Sequence, residues 1–382
     1  MLLYKELEMK LGIIGAGGWG TTLAIVYSHF GHDVSLWSYD KDVISDIKEN
    51  GINKYLTETI IDSNGDEIRK EIPIAVNFEV TNNIKKCVDN AEIIIHATPS
   101  DFAESIFEEY YKSIQNNASI IIATKGVLFN DKDNQINFIS DFFREKLNSI
   151  DKKDKKNKNK IFALAGANIA GPIARLEKYS TANIAVDSGS IRDAVNMAEY
   201  LNNDVLRLIP STFIKNIQIN STLKNIYTIG IATCIGLGIS NKNNVADAKA
   251  LALTEFRKIT KYILGRCYYE AIICPSGIAD LDTTIESIDG RNRTFGYQLG
   301  RTIKEGGVSV EQAINESYKK MGGKIVEGFK NTERMYKYLE KKPNQIKNLP
   351  FLKAIYNVLF KHPDHKHPDP YKTYKKVFEA AK

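Results

Sequence analysis

Residues 10–37 read KLGIIGAGGWGTTLAIVYSHFGHDVSLW, and the order of residue types in this stretch decides the fold. Leu11–Ile14 is an apolar run of the length of a buried strand. Gly15-Ala16-Gly17-Gly18-Trp19-Gly20 follows it directly, Thr21–Phe30 carries helical spacing, and Val34–Trp37 reads as the next strand. A strand before and a helix after are the setting in which GxGxxG has physical meaning. The first glycine allows a tight turn, the second lets the backbone approach a pyrophosphate, and the third lets the helix lie close to the sheet. The helix start offers free N–H groups and a positive dipole end to phosphate. Asp40 stands twenty residues past Gly20, at the end of the second strand, where an acid can hold the adenosine ribose hydroxyls. No Arg lies beside it in Trp37-Ser38-Tyr39-Asp40, so the expected cofactor is NAD rather than NADP. The alternative role for Asp40 is a helix cap ahead of Val43.

The alternation of short apolar runs with longer amphipathic stretches continues to Pro210. Further strands are expected at Glu92–Ala97, Ser119–Ala123, Ile161–Ala165, Ala182–Val186 and Val205–Ile209, with a short one near Ile74–Val76. Their near-continuous Ile, Val and Ala content fits a parallel sheet covered on both faces. Thr57–Pro73 interrupts the rhythm and reads as an inserted hairpin around Asn64-Gly65. After about Thr212 the spacing becomes helical over Ile217–Ile239, Asp247–Glu270, Gly296–Glu305, Val310–Met321 and Glu327–Glu340. Leu349–Phe360 and Tyr371–Ala381 are further helix candidates. The expected fold is α/β: an N-terminal Rossmann-type doubly wound sheet over residues 1–211, then an all-α C-terminal domain over 212–382.

With 382 residues, 43% hydrophobic and 26% charged, the chain has the material for two domains and is neither disordered nor fibrous in composition. Of the net charge of +6, the run DKKDKKNKNK at 151–160 supplies +4. Nucleic-acid binders spread basic residues along a face with aromatics interleaved; this run has no aromatic and reads as a solvated loop. Four cysteines without a CxxC pair fit free thiols in a reducing compartment. The N-terminal MLLYKELEMK lacks the apolar core of an export signal. The uncharged stretch Asn225–Asn241 is broken by Gly230, Gly236 and Gly238 and reads as a buried helix, not a membrane span. A cytoplasmic protein with no nucleic-acid or membrane partner is expected. His362, His365 and His367 lie among prolines in HPDHKHPDP, a turn rather than a metal centre, so no metal is expected.

Candidates for chemistry stand where apolar segments end. Lys125 follows Ile121–Thr124, Asn168 follows Leu164–Ala167, and Lys224-Asn225 opens the uncharged helix. For a lysine at such a place the bland alternative is a snorkelling surface residue. Asp280 interrupts the apolar Gly277–Leu281, and Gly290-Arg291-Asn292-Arg293 follows after Thr283-Thr284. A forked guanidinium beside an amide and hydroxyls suits a bidentate grip on phosphate, whereas Arg291 taken alone reads as a surface turn residue.

GAGGWGT (15–21), TPSDF (98–102), ATKG (123–126), GANIA (166–170), LKNIYTIG (223–230), GIADLDTT (277–284), GRNR (290–293), VEG (326–328) and LPFLKAIYNVLF (349–360) follow one another along the chain. In that order they resemble the motif set of the NAD-dependent glycerol-3-phosphate dehydrogenases, from about Lys10 to Phe360. The resemblance implies a Rossmann domain before a helical one, NAD as cofactor, a homodimer, and interconversion of dihydroxyacetone phosphate and sn-glycerol 3-phosphate, which links glycolysis to glycerolipid synthesis. Carried over by motif, it implies that Gly15, Gly17, Gly18, Trp19 and Gly20 line the pyrophosphate. Tyr39, Phe102 and Ala170 would contact other parts of the cofactor. Lys125 and Asn168 would line the substrate side, Lys125 touching the cofactor too. Lys224 is the implied catalytic lysine, flanked by Asn225 and supported by Asp280. Thr284, Arg291 and Asn292 would hold the substrate phosphate, and Arg291 and Glu327 would reach the cofactor. Asp280 to Arg291 is longer than the family pattern, so Thr283 stands as the alternative to Thr284. Other readings are a different two-domain NAD(P)-dependent hydroxy-acid or nucleotide-sugar dehydrogenase, and a non-catalytic NAD-binding protein.

Overall fold

A computed structural model describes the chain apart from residues 1–7, 62–66, 151–157, 178, 240, 289, 322–325, 362–368 and 381–382. The turn at Asn64-Gly65, most of the lysine run and the three histidines of the tail therefore lie outside the described residues. Two compact units make up the chain: Met1–Leu128 with Asn137–Gln218, and Phe129–Ile136 with Ile219–Lys382.

The strands are β1 (Lys10–Ile14), β2 (Asp33–Trp37), β3 (Thr57–Ile61), β4 (Glu67–Glu71), β5 (Glu79–Thr81) and β6 (Ile93–His96). They continue with β7 (Ser119–Ile122), β8 (Leu128–Asn130), β9 (Gln135–Asn137), β10 (Ile161–Gly166), β11 (Ser180–Val186) and β12 (Leu206–Ser211). In the first unit they alternate with α1 (Gly18–His29), α2 (Lys41–Asn50), α3 (Ile84–Val88), α4 (Ala103–Tyr110), α5 (Ile139–Ile150), α6 (Ala170–Ala174) and α7 (Ile191–Leu201). Eight strands form one sheet in the order β12-β11-β10-β7-β6-β1-β2-β5. Its pairings are parallel except β10 with β11. The wholly parallel expectation fails there because the link through the five-residue α6 turns the chain back instead of carrying it over the sheet.

A second difference lies at the other edge. Ile74–Val76 is not a strand; Ile74 N–H bonds the Gly51 carbonyl at 2.8 Å, and the edge pairing with β2 begins only at Ser35↔Glu79. The inserted segment does form a hairpin, β3 pairing antiparallel with β4 from Thr57↔Glu71 to Ile61↔Glu67.

Side chains alternate across the central strands. Leu11, Ile13, Ile93, Ile95 and Ile121 join α1 and α7 in one core, while Ile14, Ile94, Ile120 and Ile122 join Phe107 of α4 and Phe143 of α5 in the other. Both faces are covered, which is why these strands read as unbroken apolar runs. Each fully buried side chain of this kind contributes about 1.5–3 kcal/mol. Chain order reverses between β1 and β6, so the glycine loop after β1 and Ala97-Thr98-Pro99 after β6 share the carboxyl edge where such sheets bind ligands.

The second unit is built from α8 (Ile214–Gly236, from Ile219 onward), α9 (Lys242–Leu264), α10 (Asp280–Glu286), α11 (Arg291–Glu305) and α12 (Val310–Lys320). α13 (Glu327–Glu340), α14 (Pro343–Ile346), α15 (Pro350–Phe360) and α16 (Pro370–Ala380) complete it. The β8–β9 hairpin, which no pattern in the sequence announced, also contributes: Asp131 accepts from Arg334 of α13 at 2.9 and 2.7 Å. Helix α8 is buried all round, as its uncharged sequence predicts, with Leu223, Ile226, Tyr227 and Ile229 fully covered. α11 crosses it at glycines: a Cβ on Gly296 would stand 2.5 Å from the Ile229 carbonyl oxygen, and one on Gly300 2.2 Å from that of Thr233. Buried Glu255 on α9 accepts from the Tyr227 hydroxyl at 2.5 Å and from the Phe351 and Leu352 N–H groups at 2.8 and 2.9 Å. That carboxylate fastens α8, α9 and the start of α15, which is the work of the LPF segment. No helix of the described residues is long and apolar enough to cross a membrane.

Candidate active site

In the first unit the glycine loop has the geometry its spacing predicts. Gly15 leaves β1 with φ of 114°, a backbone that side chains other than glycine's rarely allow. A Cβ on Gly20 would stand 1.9 Å from the Gly15 carbonyl oxygen, so α1 can start against the turn only without one. At Gly17 nothing lies within 4 Å of where a Cβ would be, which is room for a pyrophosphate. Gly17 caps α1 with no side-chain hydrogen bond, leaving the first N–H groups to a phosphate. These features fit a dinucleotide.

Asp40 does cap α2: Oδ1 accepts from the Asp42 N–H at 3.0 Å. Its Oδ2 meets the Lys54 ammonium at 2.7 Å and the Tyr55 hydroxyl at 3.3 Å. The hydrogen bond from Lys54 holds the carboxyl below its usual range. Thus the cation absent from Trp37–Asp40 arrives from the loop at 53–55, which the sequence reading missed. Buried Asn53 anchors that loop, donating to the Ala16 carbonyl at 3.0 Å and Thr21 Oγ1 at 2.7 Å. The Tyr55 carbonyl oxygen would be 2.6 Å from a Cβ on Gly18, so this glycine admits the loop. Asn53 and its partners lie 37 and 32 residues apart, beyond any local signal.

Tyr39 and Phe102 are 88% and 55% exposed, aromatic faces suited to a planar ring. Trp19 packs partly against the core, and Ala170 opens α6 with its carbonyl accepting from the Thr22 hydroxyl at 3.3 Å. Half-buried Lys125 follows β7. The strand ends beside it are tied together: the Thr124 hydroxyl donates to the Thr98 carbonyl at 2.8 Å, and His96 bonds Thr98 Oγ1 at 2.7 Å and Tyr110 Oη at 2.8 Å. Burial pushes the His96 ring down to about 3, so it is a neutral strut. Asn168 donates to Ser180 Oγ at 3.0 Å and the Thr181 carbonyl at 3.1 Å, leaving Oδ1 buried without a partner.

The second unit brings together residues from four helices. Lys224 of α8 pairs with Asp280 Oδ1 at the start of α10, both side chains 3% exposed. Asp280 Oδ2 is buried and has no partner. Asn225 Nδ2 donates to Glu327 Oε2 at 3.2 Å, and Asn292 Nδ2 donates to Asn225 Oδ1 at 2.9 Å. Asn292 Oδ1 then accepts from the Gly328 N–H at 2.9 Å. A Cβ on Gly328 would lie 2.4 Å from the Asn225 carbonyl oxygen, the physical reason for the glycine of VEG. Arg291 Nη2 stands 3.9 Å from Glu327 Oε1, with half of its side chain exposed. The Thr284 hydroxyl donates to the Asp280 carbonyl at 2.6 Å, so its one proton is already committed to the backbone.

Residues 10–191 match the sequence profile described as the NAD-dependent glycerol-3-phosphate dehydrogenase N-terminus, and residues 214–367 match that of its C-terminus. The chain belongs to this family. A curated relative, glycerol-3-phosphate dehydrogenase (NAD(P)+) of Clostridium botulinum, is 27% identical over 357 residues, covering 94% of each chain. The solved glycerol-3-phosphate dehydrogenase of Plasmodium falciparum aligns with a TM-score of 0.77 at 20% identity, covering 97% of this chain and 94% of that one. That of Saccharomyces cerevisiae gives 0.76 at 20% identity, covering 98% and 100%. The structural likenesses establish the fold, and the profile matches establish an oxidoreductase family that uses NAD.

For a glycerol-3-phosphate dehydrogenase the residues sort plainly. Lys224, Asn225, Asp280, Arg291, Asn292 and Glu327 form one connected group within the second unit. The glycine loop, Asp40 and the unforeseen Lys54 and Asn53 form another in the first.

Proposed function

We propose that this chain catalyses the reversible reduction of dihydroxyacetone phosphate to sn-glycerol 3-phosphate, acting as a cytoplasmic homodimer that links glycolysis to glycerolipid synthesis. The observation that carries this reading is the buried Lys224–Asp280 pair with a second Asp280 oxygen unpartnered. A buried acceptor without a donor is costly, and a substrate hydroxyl would satisfy it.

NADH, held along Gly15–Gly20, would supply the hydride. Reduction places negative charge on the ketone oxygen, and the Lys224 ammonium, held in a dry site, stabilises that oxygen and gives it a proton. Asp280 keeps the ammonium in place. Arg291 opens α11, where the helix terminus adds to its own charge, and it grips the phosphate. Asn292, with both amide atoms engaged by Asn225 and Gly328, is a positioning residue that sets the start of α11 against α8 and α13. Thr284 would need to release the Asp280 carbonyl to donate to a phosphate, and Thr283 keeps its place as the alternative. For Lys125 and Asn168 the family resemblance supports a place on the substrate side.

The test follows NADH by absorbance on adding dihydroxyacetone phosphate, with unphosphorylated dihydroxyacetone in parallel. Loss confined to the phosphorylated ketone is expected. NADH binding with no turnover of either ketone would sink the reading in favour of another dehydrogenase or a non-catalytic NAD-binding protein.

A further inference from the structure

The strongest unassigned feature is the ion pair at the end of β2. An unpaired carboxylate there accepts from the ribose hydroxyls of NAD and repels the 2′-phosphate of NADP. In this chain Asp40 Oδ2 already holds the Lys54 ammonium at 2.7 Å, so an incoming ribose meets a pair without net charge. The pair is built into the nucleotide site. Asn53, next to Lys54, bonds the glycine loop at Ala16 and α1 at Thr21, and the Tyr55 backbone lies against Gly18. Lys54 remains 42% exposed, open to an anion. Lys41, the residue after Asp40, lines a cavity of about 230 Å³ whose walls include Lys48, Lys86, Thr81 and Asn82. Glu79 lines the same cavity and pairs with Lys86 at 2.5 Å, so three ammoniums and one carboxylate border it.

We infer that Lys54 is a specificity residue: by neutralising Asp40 and presenting a part-exposed ammonium, it lets the site take the 2′-phosphate of NADP as well as the ribose of NAD. The inference rests on the dinucleotide reading of the glycine loop. A lysine head is a point charge on a rotatable stem, able to exchange Asp40 for a phosphate. Asp40 keeps its bond from the Asp42 N–H throughout, so α2 stays capped.

The test is equilibrium binding of 5′-AMP, 2′,5′-ADP, NADH and NADPH to the full chain and to Lys54→Ala and Lys54→Arg. The unaltered chain should bind 2′,5′-ADP at least as tightly as 5′-AMP. Loss of one charge-assisted bond in Lys54→Ala should weaken 2′,5′-ADP and NADPH by about tenfold and leave 5′-AMP and NADH within about twofold. Lys54→Arg keeps the cation and should keep the ratio, and added salt should erode it. Thermal unfolding confirms that each variant is folded. A preference for 5′-AMP in the unaltered chain, or a Lys54→Ala effect equal on both nucleotide classes, would overturn the inference while the dinucleotide reading survives. Failure of NADH itself to bind removes both.

Discussion

In the first unit the candidate site is mostly backbone: the left-handed Gly15, the open space at Gly17 and the uncapped start of α1 all fall within Gly15–Gly20. In the second it is mostly side chains, carried by α8, α10, α11 and α13, with hydrogen-bonded Asn225 and Glu327 standing 102 positions apart. The contrast teaches that the two sites fail in opposite ways. A backbone site is destroyed by adding an atom where none fits, and a side-chain site by removing a charge that its neighbours were arranged around.

The largest expected effect is on the side-chain site. Lys224→Ala should lower turnover by roughly 10²-fold or more while NADH affinity stays nearly unchanged. Because it leaves Asp280 buried without its cation, folding must be verified first. Turnover within a factor of about three of the unaltered enzyme would remove Lys224 from the chemistry. Next comes the backbone site, where Gly20→Ala drives a methyl into the Gly15 carbonyl. Overpacking of this kind costs about 1–3 kcal/mol, so NADH should bind roughly tenfold more weakly or worse, with turnover at saturation little altered. Unchanged NADH affinity would break the comparison.

Arg291→Ala sharpens it inside the helical unit. The KM for dihydroxyacetone phosphate should rise by about tenfold, and use of the unphosphorylated ketone should not change. An equal effect on both ketones would show that Arg291 is no phosphate clamp. The smallest effect on activity concerns Glu255, outside the candidate site, which burial pushes up to about 7 against its hydrogen bonds. A carboxyl raised on folding keeps its proton longer in the folded chain. Its stabilisation is therefore complete below the ordinary carboxylate range and is lost as pH rises through about 7. Glu255→Gln should flatten that slope in thermal unfolding between about pH 5 and 8; parallel slopes in the two proteins would refute the assignment.

Much of the candidate nucleotide site was legible because each part obeys a short-range rule. The turn after β1 needs glycine, the strands alternate, and α2 begins at an Asp that caps it. In the helical unit the sequence pointed to Lys224 and Asp280 as charged residues in apolar segments and to Arg291 as a guanidinium beside an amide and hydroxyls, and the family resemblance supplied roles. It did not show that Asn292 spends its amide on Asn225 and Gly328, or that the Thr284 hydroxyl is turned onto the Asp280 carbonyl. Side-chain direction is set by which helices touch, and spacing along the chain does not encode it.

By itself, then, the sequence determined the strand-turn-helix whose glycines fit a dinucleotide, the change from sheet to helices after about Thr212, and the ordered motifs that mark the family. Those properties depend on periodicity and on backbone preference, which act over a few residues. Tertiary structure alone decided that β11 runs against β10, that Glu255 clasps α15, and that Lys54 lies on Asp40. Each of these is a contact between distant segments, and its energy exists only once packing has brought their polar groups within hydrogen-bonding distance.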